Sequence, residues 1–94
     1  MMGTAQKLTV TPALDAQIAQ LVRGGDKKAL AAALTARGDA KMNDAGASPR
    51  LKYRAALADY RRALKLDPKN QGALEAKATI ESIYKMMGRA VPAP

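Results

Sequence analysis

Ninety-four residues suit one small domain with a modest hydrophobic core. The chain has no Cys, His, Trp or Phe, which removes disulfides, thiol chemistry, the commonest metal ligands and the usual general base together. Its 16 Lys and Arg against 8 Asp and Glu leave a formal charge of +8, a field that favours acidic partners: nucleic acid, an anionic membrane or an acidic protein surface.

Residues 1–10 carry no helical period and are expected to form an extended or disordered lead-in, folding over the bundle at most. Their start, MMGTAQKLTV, lacks the apolar core of a signal peptide. A cytoplasmic compartment is the default expectation, with an exported chain whose signal has been removed as the alternative. No run reaches the roughly 18 apolar residues of a membrane span.

Thr11 followed by Pro12 places a cap before a first-turn proline. Leu14, Ile18, Leu21 and Val22 then fall on one face, and Gly24-Gly25 stops the helix. The first helix is expected over about residues 12–23. Asp26 can cap a second, about 26–44, whose stripe is Ala29, Leu30, Ala33, Leu34, Gly38 and Met42. Gly38 costs about 1 kcal/mol against Ala inside a helix. Close packing against the next helix explains it, and a kink is the alternative.

A loop then closes at Ser48-Pro49, again a cap with a first-turn proline. Tyr53, Ala56, Leu57, Tyr60, Ala63 and Leu64 recur at steps of three and four, which makes 50–66 a helix whose small and large residues form a packing surface. Pro68 closes it near Leu66 or Asp67, and Asn70 is placed to cap a fourth helix over 71–87. There, Ala73, Ala76, Ile80, Ile83 and Met87 share a face bordered by Leu74 and Tyr84. Gly88 ends it, and residues 89–94 read as a Pro-rich tail or linker.

The run from Tyr53 through Ala56, Leu57, Tyr60, Ala63, Leu64, Leu66, Asp67 and Pro68 to Asn70 resembles the second helix of a tetratricopeptide repeat. Leu34-x-x-Arg37-Gly38-x-x-Lys41 resembles the first helix less closely, since Arg37 and Lys41 depart from the family's apolar and aromatic choices. A following half-repeat would begin at Leu74 with Ala78 at the small position. From Gly38 to Ala78 is 40 residues, against a family period of about 34, so roughly six residues are inserted between the helices, at 43–49. The resemblance covers about residues 30–88. It implies an all-α, antiparallel four-helix array of helix-turn-helix units, with 11–88 as one domain, and a non-enzymatic module that binds a partner protein or itself.

Two surfaces are candidates for that role. The resemblance implies a concave groove lined by Thr35, Asp39, Lys41, Lys77 and Glu81, suited to an extended peptide or a partner's helix. Asp39 stands where the family's carboxylate-gripping members carry Asn, which argues against capture of an acidic C-terminus. The second surface follows from spacing alone. Arg50, Arg54, Arg61 and Lys65 lie along one face of the third helix, with Arg62 and Lys69 beside them, and Arg forks suit phosphate or carboxylate. That face is either solvated surface, the plainer reading, or a site for an acidic protein partner; the alternative function is an electrostatic binder of nucleic-acid backbone. No cofactor or metal is expected, and homo-oligomerisation is an open alternative. Met42, Met86 and Met87 are read as core filler or helix-end packing rather than a binding surface.

Overall fold

Prolines, glycines and short polar side chains cut this chain into four helices. The computed structural model describes residues 9–93, with α1 at Pro12–Gly24, α2 at Lys27–Met42, α3 at Pro49–Leu66 and α4 at Gln71–Met86. All regular structure among the described residues is helical, and the boundaries lie within two residues of those expected. The lead-in expected over 1–10 falls mostly outside the described residues.

Pro12 and Pro49 open α1 and α3, where the missing N–H costs nothing. Asp26 and Asn70 cap α2 and α4, their Oδ1 atoms accepting from the amides of Ala29 and Ala73 at 3.0 Å. Thr11 and Ser48 occupy the N-cap positions but make no side-chain cap bond. The Thr11 hydroxyl instead donates to Asp15 Oδ1 at 3.0 Å. Gly25 ends α1 in the left-handed conformation, φ 77°, which an L side chain rarely adopts.

Asp15 near the start of α1 meets Arg37 late in α2, and Pro49 and Tyr53 at the start of α3 line one pocket with Tyr84 and Met87 at the end of α4, so each of these pairs runs antiparallel. Gly38 of α2 meets Tyr60 of α3. One apolar cluster draws on all four helices, including Ile18, Leu34, Leu57, Tyr60, Ile80 and Tyr84. The α2–α3 hairpin is its centre. A Cβ added to Gly38 would lie 2.7 Å from Tyr60 Cε1, so the glycine is there to let the ring lie on the backbone, and the kink is not needed.

Two expected stripes are rotated. On α1 Val22 is 49% exposed, because α1 lies against α2 alone and has no second neighbour to cover the edge of its stripe. On α4 Ala73, Ile80 and Tyr84 are buried while Met87 is 49% and Met86 86% exposed. Met86 and Met87 are therefore surface residues, not core filler, whereas Met42 does pack against the core.

The segment 43–48 is a pinned turn rather than a slack insertion. Asp44 Oδ1 accepts from the Gly46 amide at 2.9 Å, Asp44 Oδ2 accepts from the Thr9 hydroxyl at 2.9 Å, and Ala47 is buried. At the other end, the Gly88 amide donates to the Lys85 carbonyl at 3.0 Å and the Arg89 amide to that of Tyr84 at 2.9 Å. With Gly88 at φ 67°, this pair of bonds is a Schellman ending. It turns the chain back across α3, where Val91 packs against the core. Within this tail Val91 and Pro92 are half-buried, while Arg89, Ala90 and Ala93 are exposed. No helix among the described residues is long and apolar enough to cross a membrane.

Candidate functional site

The expected groove and the expected basic face meet different fates. Thr35 lies against the first turn of α4, its Cγ2 3.5 Å from where a Cβ of Gly72 would be, and its hydroxyl donates to the Ala31 carbonyl at 2.9 Å. Asp39 Oδ1 accepts from the Tyr60 hydroxyl at 2.6 Å. Lys77 and Glu81 pair with each other along α4 at 2.8 Å. Lys41 belongs elsewhere: two residues on from Asp39 it points to the opposite side of α2, and its Nζ is 2.7 Å from Asp59 Oδ2. The groove residues are occupied by one another or by the core.

Asp59 was not visible as a special residue in the sequence, yet it is the buried charged group of the fold, 4% exposed. Arg37 grips it with two nitrogens, Nε to Oδ2 at 3.0 Å and Nη2 to Oδ1 at 2.8 Å, and reaches Asp15 with Nη1 at 2.9 Å. One guanidinium therefore ties α1, α2 and α3 together, and Lys41 completes the set. The bidentate bond to Asp59, against the cost of burial, raises the Arg37 pKa further above its ordinary value. The same guanidinium, then the Thr11 hydroxyl, lowers that of Asp15. Burial, followed by the bond to the Asp39 carboxylate, holds the Tyr60 phenol well above its ordinary value of 10.0. The signal in the sequence was the i, i+4 pair Arg37 and Lys41, charged where an apolar face was expected: two cations on an inner face require an acid opposite.

All eight carboxylates of the chain accept a hydrogen bond within the fold. Asp15, Asp39, Asp44, Asp59 and Glu81 have been placed above, and Asp26 caps α2. Asp67 accepts from the Lys69 amide at 3.3 Å and Glu75 from Gln71 Nε2 at 3.0 Å. The cations of the expected basic face are not used in this way. Arg50, Arg54, Arg62, Lys65 and Lys69 are exposed and Arg61 half-buried, and none forms an ion pair among the described residues.

All of these side chains except Lys69 border a depression between α3 and the returning tail. A pocket of about 310 Å³ lies between the start of α3 and the end of α4, lined by Pro49, Arg50, Tyr53, Tyr84, Met87 and Arg89. It shares Arg50, Tyr84 and Arg89 with a cleft of about 410 Å³ that adds Arg54, Val91 and Pro92. That cleft shares Arg54 and Pro92 with a shallower space of about 560 Å³ over Ala58, edged by Arg61, Arg62 and Lys65. No family model, curated protein or solved structure matches this chain. Its chemistry must therefore be read from its own residues. Arg89 and the tail were missed as site residues because only the glycine-directed reversal after α4 brings them to α3, and Tyr84 because only the packing of α4 does. Among the described residues no three metal-ligating side chains gather.

Proposed function

We propose that this chain is a non-enzymatic, tetratricopeptide-like helical interaction module that binds an acidic segment of a partner protein along the outer face of α3. The observation that carries this reading is the asymmetry of charge: every Asp and Glu side chain accepts a hydrogen bond within the chain, while the cations of α3's outer face have no ion-pair partner among the described residues and edge an open trough. Guanidinium forks on such a surface match carboxylates in geometry as well as charge. The tetratricopeptide-like arrangement is supported by the α2–α3 hairpin, in which the small Gly38 receives Tyr60. The lack of His and Cys supports a binding rather than a catalytic role.

Nucleic-acid backbone is the second reading, favoured by Tyr53 and Tyr84 lying beside Arg50 and Arg89, since aromatics interleaved with cations suit stacked bases. Anisotropy titrations with a labelled glutamate-rich peptide and a labelled oligothymidylate, each over a salt series, separate the two. The module reading expects the peptide to bind, and to be lost in the Arg54→Glu, Arg61→Glu, Lys65→Glu triple variant with helicity unchanged. Tighter binding of the oligonucleotide with a steep salt slope replaces it with the second reading.

A further inference from the structure

We infer that the partner segment is an extended peptide joining one large apolar side chain to a run of acidic residues, with the apolar side chain seated between Tyr53, Tyr84 and Met87. This rests on the proposed reading of α3's outer face and specifies its ligand. The trough is not uniform along its length. Its end at the start of α3 is an apolar pocket, with Arg50 and Arg89 at the rim. From Arg54 onward the lining joins Ala58 and the tail residues Pro92 and Ala93 to the cations Arg54, Arg61, Arg62 and Lys65. A purely acidic ligand would leave the apolar end unused, and Met87, an exposed thioether, would still face water.

The dimensions agree with an extended chain. From Arg50 to Lys65 the helix rises about 22 Å at about 1.5 Å per residue, the span of about seven residues of extended peptide. Arg50 and Arg54 lie about 6 Å apart along the axis. Side chains on one face of an extended strand repeat at about 6.6 Å, so alternate acids can meet Arg50 and Arg54, and again Arg61 and Lys65, which are also four residues apart. A nucleic-acid strand fits less well, since it needs a stacking surface for each base. Beyond Arg54 the next aromatic of α3, Tyr60, is 1% exposed and offers none.

The test uses the full chain and four labelled probes: an acidic heptapeptide led by Leu, the same peptide led by Ala, a Leu-led peptide with Gln for every acid, and oligothymidylate. The Leu-led acidic peptide is expected to bind about tenfold more tightly than its Ala counterpart, the effect of burying one aliphatic side chain. The Gln peptide is expected to fail. Met87→Gln, at an exposed site, is expected to shrink the Leu-over-Ala ratio. Equal binding of the Leu-led and Ala-led acidic peptides overturns the anchor and leaves the acidic-segment reading standing. Failure of both acidic peptides overturns that reading as well, and binding of oligothymidylate alone assigns the trough to nucleic acid.

Discussion

The two faces of α3 carry the same kind of chemistry to opposite ends. Helix α3 has six Lys or Arg and one Asp. On the inner face the single acid, Asp59, is buried and held by two cations from α2, one of which also reaches α1. On the outer face Arg50, Arg54, Arg61, Arg62 and Lys65 have no ion-pair partner among the described residues. The inner charges can do nothing but hold geometry, because moving any of them strands a charge away from water. The outer ones are solvated, so they contribute little to folding and are available to something else.

Substitutions on the inner face should have the largest effects. Asp59→Ala leaves Arg37 and Lys41 facing a void and is expected to cost about 3–5 kcal/mol, read by urea unfolding. Replacing Asp59, Arg37 and Lys41 together by Leu, Met and Met should recover most of that loss; failure to recover would mean that the triad specifies the packing rather than merely balancing itself. Tyr60→Ala should cost a similar amount, about 3–5 kcal/mol, and a near-neutral unfolding curve would remove Tyr60 from the core.

Gly38→Ala sharpens the comparison at the same seam. Helix propensity alone favours Ala by about 1 kcal/mol, but the new Cβ meets a ring that is fully packed and tied through its hydroxyl to Asp39. A net loss of about 1–3 kcal/mol is expected, and any stabilisation would show that the ring can move aside.

The Tyr60 phenol adds a pH effect. Below pH 10 it is neutral in folded and unfolded chains alike. Above its ordinary value of 10.0 the unfolded chain ionises first, so stability falls as pH rises. Tyr60→Phe should flatten that alkaline limb at a cost of about 1 kcal/mol near neutrality. Spectrophotometric titration of tyrosinate, followed alongside helicity, checks it.

The smallest stability changes belong to the outer face. Arg54→Glu, Arg61→Glu and Lys65→Glu should each shift stability by no more than about 0.5 kcal/mol, although together they are expected to abolish the proposed binding of acidic peptide. A large thermal shift from any one of them would mean that the outer cations are structural after all, and the contrast between the faces would collapse.

Legibility in the sequence followed the range of the interaction. Pro12, Pro49 and Pro68, the caps Asp26 and Asn70, and the apolar spacing of α3 are local: each acts within one turn through backbone φ, a missing N–H or a side chain one turn away. The use of Gly38 was also legible, since an interior glycine on a stripe needs a packing reason. Helix bounds and the α3 core could therefore be read directly. The rotated stripes of α1 and α4 could not, because which edge of a stripe is covered depends on how many neighbours a helix has.

What the sequence by itself determined was four helices, their order, the packing face of α3 and a surplus of positive charge. Only the tertiary structure decided where that charge is spent. It paired Arg37 and Lys41 with Asp59 across 18 to 22 residues of chain, a partnership that no helical period encodes. It also turned the chain at Gly88 so that Arg89, Val91 and Pro92 wall the face of Arg50 and Arg54. Periodicity reports which side of a helix is apolar; the identity of the group across from each charge is settled only when the helices pack.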